Sequence, residues 1–162
     1  MRLAIISDTH MGPGRRHRLP GRCEELIAGS NLLVHAGDVM TLEALAEIEA
    51  IGPPVRGVAG NMDGWDLRER LPDTDEIDVD GVTLAVVHDA GSAAGRLRRM
   101  QRRFPGADAV VFGHSHIPLH EREGDFQIFN PGSPTERRRA PSHSMGVAHV
   151  QDGRLEFELV EL

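Results

Sequence analysis

Short apolar runs alternate with amphipathic stretches over the first sixty residues. Three runs, at residues 3–6, 32–36 and 55–59, have the length and continuous hydrophobicity of buried strands. The intervening segments at residues 22–28 and 42–51 repeat their apolar positions every three to four residues, which predicts helices. A βαβαβ order is typical of a parallel sheet, so we expect the chain to open with one.

Hairpin patterns dominate the second half of the chain. Asp80-Gly81 and Asp152-Gly153 supply turn residues between alternating segments, and residues 97–104 predict a basic amphipathic helix. The further predicted strands are residues 109–112, 120–123, 126–129 and 145–150. We therefore expect a single domain over residues 1–162 of the α/β (α+β) class, with two sheets packed face to face and helices outside. The stretch "SPTERRRAPSH", residues 133–143, has no periodicity.

Composition narrows the function classes. The 162 residues include 18 basic residues, all arginine, against 25 acidic ones, which gives a net charge of −7. That balance argues against an extended nucleic-acid surface, although local arginine clusters can bind phosphate. Cys23 is the single cysteine, which excludes an intramolecular disulfide and a cysteine-rich zinc site. The apolar run after Met1 is too short for a signal sequence or a membrane span, so we expect a soluble cytoplasmic protein.

Five apolar runs each end in a carboxylate, an amide or an imidazole side chain. The ends read "SDTH", "HAGD", "AGNMD", "VVHDA" and "FGHSH". Ligand sites of α/β sheets lie at the carboxyl ends of the strands, so we expect these ends to converge. Imidazole and carboxylate together suit transition metals better than calcium. Gly37, Gly60 and Gly113 each precede a candidate ligand, where a tight backbone path lets side chains crowd together.

In this order the motifs resemble those of the calcineurin-like metallophosphoesterases. The chain length and the later "NPGSP" are similar to their small, single-domain prokaryotic phosphodiesterase branch, and the resemblance spans residues 2–139. It implies a four-layer αββα sandwich of two mixed β-sheets flanked by helices. It also implies two divalent transition-metal ions, manganese first, with zinc, iron, nickel and cobalt as alternatives. The implied ligands are Asp8, His10 and His116 for one ion, Asn61, His88 and His114 for the other, and Asp38 as the bridge.

The resemblance implies a phosphoesterase that hydrolyses phosphodiesters by attack of a metal-bridging hydroxide. Two divalent ions, two aspartates and one hydroxide leave a charge of about +1, which matches a singly charged diester. Asp38 and His114 take the catalytic roles, and the implied partner is a small phosphoester, nucleotides included. For the three arginines in the set that follows, the alternative interpretation is a solvated basic loop that does not contact the substrate. The implied substrate contacts are Asn61, Asn130, Arg137, Arg138 and Arg139.

The sequence departs from the family pattern at two motifs. Met62 stands where many members have the histidine that protonates the leaving oxygen, and Asp89 stands where the small branch often has glycine. Neither change removes an implied ligand. Two other features have two interpretations each. The loop that carries Arg15, Arg16 and Arg18 is either a lid over the site or an ordinary loop. Trp65 either forms the floor of the pocket or packs in the core.

Two function classes are consistent with these motifs. The favoured class is a metal-dependent phosphodiesterase. The rival is a non-catalytic protein-interaction module, because the retromer subunit of the same fold binds proteins. That subunit has lost part of the ligand set, whereas all seven positions are filled here, which favours the enzyme. A dinuclear hydrolase of amides or carboxylic esters is disfavoured by the "GN" and "NPGS" motifs.

Overall fold

The computed structural model describes residues 1–12, 14 and 17–162, so Arg15 and Arg16 of the arginine-rich loop lie outside the described residues. Within them the chain forms ten strands and four helices. In chain order these are β1 (Arg2–Ile6), α1 (Gly21–Ala28), β2 (Leu32–His35), α2 (Leu42–Glu49), β3 (Val55–Gly57), α3 (Trp65–Arg70), β4 (Thr74–Val79), β5 (Val82–Val87), α4 (Arg96–Arg103), β6 (Ala109–Val111), β7 (Leu119–Glu123), β8 (Phe126–Asn130), β9 (Ser144–Gln151) and β10 (Arg154–Glu161).

Both sheets have five strands and mixed pairing. The first has the order β10-β9-β1-β2-β3, with β1, β2 and β3 parallel, as the opening pattern predicts. The second has the order β4-β5-β6-β8-β7, with β5, β6 and β8 parallel and a hairpin at each edge. Each parallel core therefore places the carboxyl ends of its strands at one edge of its sheet.

Apolar side chains on both faces of the sheets define four layers. Along β1, Leu3 and Ile5 enter a cluster shared with β5, β6 and β8 of the other sheet, whereas Ala4 and Ile6 enter a cluster with α1 and α2. A third cluster packs α4 against the outer face of the second sheet through Met100. Strands buried on both faces read as continuous apolar runs, which is why the period-two signal is weak there. The layers are helix, sheet, sheet and helix, the αββα sandwich that the resemblance implies.

Two hairpin turns lie at the edge opposite the carboxyl ends of the parallel strands. Asp80-Gly81 leads directly into β5, and Asp152-Gly153 follows β9, which ends beside the start of β1. All four residues have positive φ, between 50° and 80°, which is the backbone of the two-residue turn predicted for Asp-Gly.

The helix α3 is absent from the sequence prediction. It has six residues, it buries only Leu67, and Gly64 caps it without a side-chain hydrogen bond, so neither periodicity nor a capping residue signals it. The other predicted elements are present with ends within two residues of the expected ones. In the described part of the chain, no helix has both the length and the apolar character needed to cross a membrane.

Candidate metal centre

The polar strand ends meet at one edge of the two sheets. In the first sheet, Asp8 N donates to Gly37 O at 2.9 Å, which joins the ends of β1 and β2. In the second, Gly113 N donates to His88 O at 2.9 Å, which joins the ends of β5 and β6. The backbone N–H of His114 then donates to the Asp8 carboxylate at 3.0 Å and links the two sheets at this edge.

Asp8, His10 and His116 form the first cluster of candidate ligands. All three are buried, and each has a ligand atom within 4.8 Å of the other two. His116 Nε2 lies 3.4 Å from Asp8 Oδ1 and 3.2 Å from His10 Nε2. The distances place three donors around a space of ionic size, in the combination that the resemblance implies for one ion.

Asp38 and His88 form a second cluster, which also includes Asp8. His88 Nε2 lies 3.3 Å from Asp38 Oδ2, and the same oxygen lies 3.5 Å from His10 Nε2 of the first cluster. Asp38 therefore stands between the two clusters, as a bridging ligand would. Asp8 also belongs to both clusters, so the geometry gives the bridge a second candidate that sequence reasoning did not name.

Asn61 and His114 complete the set at its solvent side. Asn61 Oδ1 lies 3.0 Å from His88 Nε2 and 2.9 Å from His114 Nδ1. Unlike the other candidate histidines, His114 is exposed. All seven ligands implied by the resemblance thus lie at one locus, with His114 at its mouth.

The ring orientations fit metal binding through Nε2. His88 Nδ1 donates to the Ala36 carbonyl at 2.7 Å, and His116 Nδ1 donates to the Glu136 carbonyl. These bonds place a proton on Nδ1 and direct Nε2 toward the carboxylates, which is the usual arrangement for an imidazole that ligates a metal through Nε2. The donor set is therefore chemically suited to transition-metal ions.

The pKa values of Asp8, Asp38 and His88 show that the buried carboxylates favour a positive charge beside them. Burial raises the pKa of Asp8 to about 7. Burial works to lower the pKa of His88, but its hydrogen bond to Asp38 and the nearby carboxylate charges raise that pKa to about 9. Although burial opposes the shift, the His88 contact lowers the pKa of Asp38. A proton on His88 thus occupies the place that a cation fills when metal binds, because metal and proton compete for the same donors.

Backbone strain is concentrated at the candidate ligands. Left-handed φ angles, between 46° and 66°, occur at five of the seven. This conformation is uncommon for residues other than glycine, and it persists only where surrounding structure enforces it. It turns each side chain back toward the strand end, which brings the donors together. The five residues are Asp8, His10, Asp38, His114 and His116.

Three glycines make room for this crowding. A Cβ on Gly37 would lie 2.6 Å from His88 Nδ1, and a Cβ on Gly60 would overlap Asp38. Gly113 is equally tight against its neighbours. The prediction that these glycines let ligands approach closely is thus confirmed by the packing.

Asp63 ties two ligand loops together. Its carboxylate is buried and accepts from Met40 N and Gly60 N, both at 2.7 Å. These donors follow Asp38 and precede Asn61, so Asp63 fixes the two loops relative to each other. Sequence reasoning gave Asp63 no such role, because the partners of its carboxylate depend on tertiary contact.

Ser133 anchors the aperiodic segment against the first motif. Its hydroxyl donates to Asp8 O at 2.8 Å and accepts from Glu136 N at 2.9 Å, and Thr135 Oγ1 donates to Thr9 O at 2.7 Å. Because the Glu136 carbonyl accepts a hydrogen bond from the His116 ring, this segment helps to orient a candidate ligand. "NPGSPTE" is therefore part of the site's support.

Asn130 lies behind the site. Its side chain is fully buried, donates to Gly113 O at 2.8 Å and Ser115 Oγ at 3.2 Å, and accepts from Gly132 N at 2.9 Å. These contacts hold the turn that carries His114. The geometry favours a supporting role for Asn130 over the substrate contact expected from the sequence.

The three arginines after Glu136 are exposed but differ in position. Arg137 Nη1 folds back onto Ala140 O at 2.7 Å. Arg138 has a left-handed φ of 47°, and its charge adds to the effect of burial in lowering the pKa of His116, so it lies near the first cluster. The substrate contact expected of these arginines stays a prediction.

Trp65 does not pack in the core. Its relative exposure is 74%, and Met62, three residues earlier, is 43% exposed. One of the two alternatives left open by the sequence, a buried structural tryptophan, is therefore wrong, because α3 presents this side chain to solvent.

Comparison with known proteins places the fold and the motifs in one family. Residues 1–153 match the family model described as the calcineurin-like phosphoesterase superfamily domain. A probable metallophosphoesterase of Methanocaldococcus jannaschii is 32% identical over 163 residues, which cover 100% of this chain and 82% of the relative. The chain belongs to the calcineurin-like phosphoesterase superfamily.

Two further proteins are similar to this chain. A phosphodiesterase of the same archaeon is 25% identical over 147 residues, covering 82% of this chain and 83% of the relative. A crystal structure of wild-type Vps29 from Entamoeba histolytica complexed with Zn²⁺ has a TM-score of 0.78 at 20% identity and covers 99% of both chains. At that identity the likeness to Vps29 concerns the fold alone.

Proposed function

We propose that this chain is a dinuclear metal-dependent phosphoesterase that hydrolyses phosphodiesters. The observation that carries the proposal is the convergence of two buried carboxylates and three imidazole Nε2 atoms, with four of these five residues on left-handed backbone. The archaeal relative named as a phosphodiesterase supports the reaction class. In this proposal Asp8, His10 and His116 hold one ion, Asn61, His88 and His114 hold the other, and Asp38 lies between them.

The chain's own residues position the ions and the substrate. When bound, two such ions lower the pKa of the water between them and stabilise charge on the phosphoryl oxygens. Asp38 would contribute to both metal positions, and His114, exposed at the mouth, would lie where a phosphoester enters. Manganese is the ion we propose. Zinc, which the Vps29 structure holds, is the first alternative, followed by iron, nickel and cobalt.

Charge favours a diester over a monoester. Two aspartates and a hydroxide reduce the charge of two divalent ions to about +1, which a monoanionic diester matches more closely than a dianionic monoester. Arg138, near His116, adds a planar donor for a phosphate oxygen. The proposed substrate is therefore a small phosphodiester, with nucleotides included.

Leaving-group protonation needs a group other than Met62. A thioether has no proton to give, and both oxygens of Asp63 accept backbone N–H bonds, so Asp63 is poorly placed to serve. Asp89 follows His88, is exposed, and binds Gly91 N at 2.7 Å through one oxygen, which leaves the other available. Asp89 is therefore the remaining candidate for this role, and a steeper dependence of kcat/KM on leaving-group acidity in Asp89→Asn than in wild type would support it.

Matched esters test the proposal. Protein stripped with a chelator and reloaded with Mn²⁺ is assayed on methyl p-nitrophenyl phosphate and on p-nitrophenyl phosphate. We expect the diester to have the larger kcat/KM, with activity lost on stripping and restored on reloading. Asp38→Asn should abolish turnover, whereas Asp78→Asn, on the exposed side of β4, should leave it unchanged. A clear monoester preference, or no hydrolysis by the loaded protein, would contradict the proposal.

A protein-interaction module is the second candidate. It is favoured by the Vps29 fold and by the exposed apolar side chains next to the ligands. The two candidates differ in one observable, because a module that only binds proteins retains metal without turning over any phosphoester. The ester assays therefore separate them.

A further inference from the structure

Exposed large apolar side chains are concentrated beside the candidate ligands. In the described residues there are five, and three lie within four positions of a ligand: Met62 at 43%, Trp65 at 74% and Ile117 at 47% exposure. The other two are Met1, at the amino terminus, and Leu159, on the edge strand β10. Isolated exposed apolar residues are ordinary, but a group of them around a polar site is how small-molecule sites are commonly built.

The segment that carries Met62 and Trp65 is firmly held against the metal centre. Met62 N donates to Asp38 Oδ1 at 2.7 Å, so the methionine side chain starts at the edge of the ligand cluster. Gly64 N donates to Met40 O at 3.0 Å, which anchors the first residue of α3, Trp65, beside the same loop. The backbone that carries these two side chains is therefore fixed beside the metal centre.

The two parts of a phosphodiester match the polar ligand cluster and the exposed apolar side chains beside it. Its charged phosphoryl group belongs at the metal ions, whereas its organic arms extend to the surface around them. Trp65 offers a large flat π-surface, and a nucleobase stacks on such a surface whatever its sequence identity. The net charge of −7 opposes a long polyanion, which favours a single nucleoside arm.

We propose that Met62, Trp65 and Ile117 form an apolar rim that binds the base of a nucleoside phosphodiester, with Trp65 as the stacking residue. This inference rests on the proposed function and specifies its substrate class. Trp65 is a specificity residue: it acts on the arm that carries the base and leaves the reacting phosphorus untouched.

Two esters with the same leaving group test the rim. Thymidine 5′-(p-nitrophenyl phosphate) carries a base, whereas methyl p-nitrophenyl phosphate does not. We expect wild type to prefer the thymidine ester, and Trp65→Ala to lower its kcat/KM by about 10-fold, mainly through KM, with the methyl ester changed less than about twofold. Trp65→Phe should restore part of the loss, and Leu159→Ala, another exposed apolar residue, should behave as wild type. Equal losses on both esters, or no preference in wild type, would overturn the proposal.

Fluorescence separates failure of the rim from failure of the proposed function. Trp65 is the only tryptophan, so its emission reports directly on stacking. Titration of thymidine 5′-monophosphate into the Mn²⁺-loaded protein should quench that emission saturably, whether or not any ester is cleaved. Quenching without hydrolysis of either ester supports the rim and contradicts the proposed function. Hydrolysis of both esters without quenching contradicts the rim and supports the proposed function.

Discussion

The two edges of the sandwich reach the same uncommon backbone conformation by different routes. At the turn edge, Asp80 and Asp152 have φ near 50°, are exposed, and are each followed by glycine. At the ligand edge, residues such as His10, Asp38 and His116 have φ between 46° and 60° but are buried. The turns adopt this conformation from local sequence, whereas the ligand loops are forced into it by tertiary packing.

The difference shows where the molecule stores strain. Asp is among the residues that tolerate left-handed φ, so the turns are close to their intrinsic preference. A buried non-glycine residue in that conformation costs about 1–3 kcal/mol, and at the ligand edge, where no hairpin turn favours it, the surrounding structure must offset that cost. The free energy of metal binding would offset this cost. The ligand edge is therefore organised for a cation at the expense of the stability of the metal-free protein.

The packing around Gly60 offers the most direct way to break the ligand edge. In Gly60→Ala the new Cβ would overlap Asp38, so either the carboxylate or the loop must move. Displacement of a catalytic group by about 1 Å costs on the order of 100-fold in rate, and we expect a loss of at least that size in kcat/KM for the diester. Gly106→Ala, where a Cβ meets no atom within 4 Å, is the control and should keep full activity.

Metal binding should stabilise the ligand edge selectively. At an Mn²⁺ concentration 100-fold above Kd, the free energy of unfolding should rise by about 3 kcal/mol per site, because the unfolded chain does not bring the ligands together. Urea unfolding with and without Mn²⁺ measures the increase. Asp8→Asn should lose most of it, and Asp80→Asn, in the turn, should retain all of it. An unchanged midpoint in wild type would contradict a preformed site.

Asp63 connects two loops of the ligand edge through one carboxylate. Asp63→Asn preserves the volume but leaves one of two buried N–H groups facing an amide NH₂, which should cost about 1–3 kcal/mol of unfolding free energy. Thermal unfolding compared with Asp78→Asn, an exposed carboxylate on β4, isolates this effect. Equal stability of the two variants would show that the carboxylate is not needed to join the loops.

Replacing a strained ligand with glycine should give the smallest effect, of the opposite sign. Metal-free His114→Gly should be more stable than wild type by about 0.5–1 kcal/mol, since relief of left-handed strain exceeds the entropic cost of glycine. Asp152→Gly should change stability by less than about 0.5 kcal/mol, because aspartate already tolerates the turn. A destabilised His114→Gly protein would show that the strain at His114 is smaller than the loss of its contact with Asn61 and the entropic cost of glycine together.

Local sequence patterns predict the fold better than they predict the residues that hold the candidate ligands in place. The parallel strands and both Asp-Gly turns follow from apolar runs and turn chemistry, which act within a few residues. The motifs at the strand ends likewise bring the seven candidate ligands to one locus. In contrast, α3 with its single buried Leu67, the double acceptor Asp63 and the buried amide of Asn130 depend on partners distant in sequence. Periodicity carries no information about such contacts.

Counting bound metal tests the central claim, a dinuclear centre with Asp38 between its ions. Protein reloaded with Mn²⁺ and freed of excess ion is analysed for metal content in wild type, Asn61→Ala and Asp38→Ala. We predict two equivalents in wild type, about one in Asn61→Ala and well below one in Asp38→Ala, because of the two replaced ligands only Asp38 lies between both metal positions. Two full equivalents retained by Asp38→Ala, or one equivalent in fully active wild type, would contradict the account.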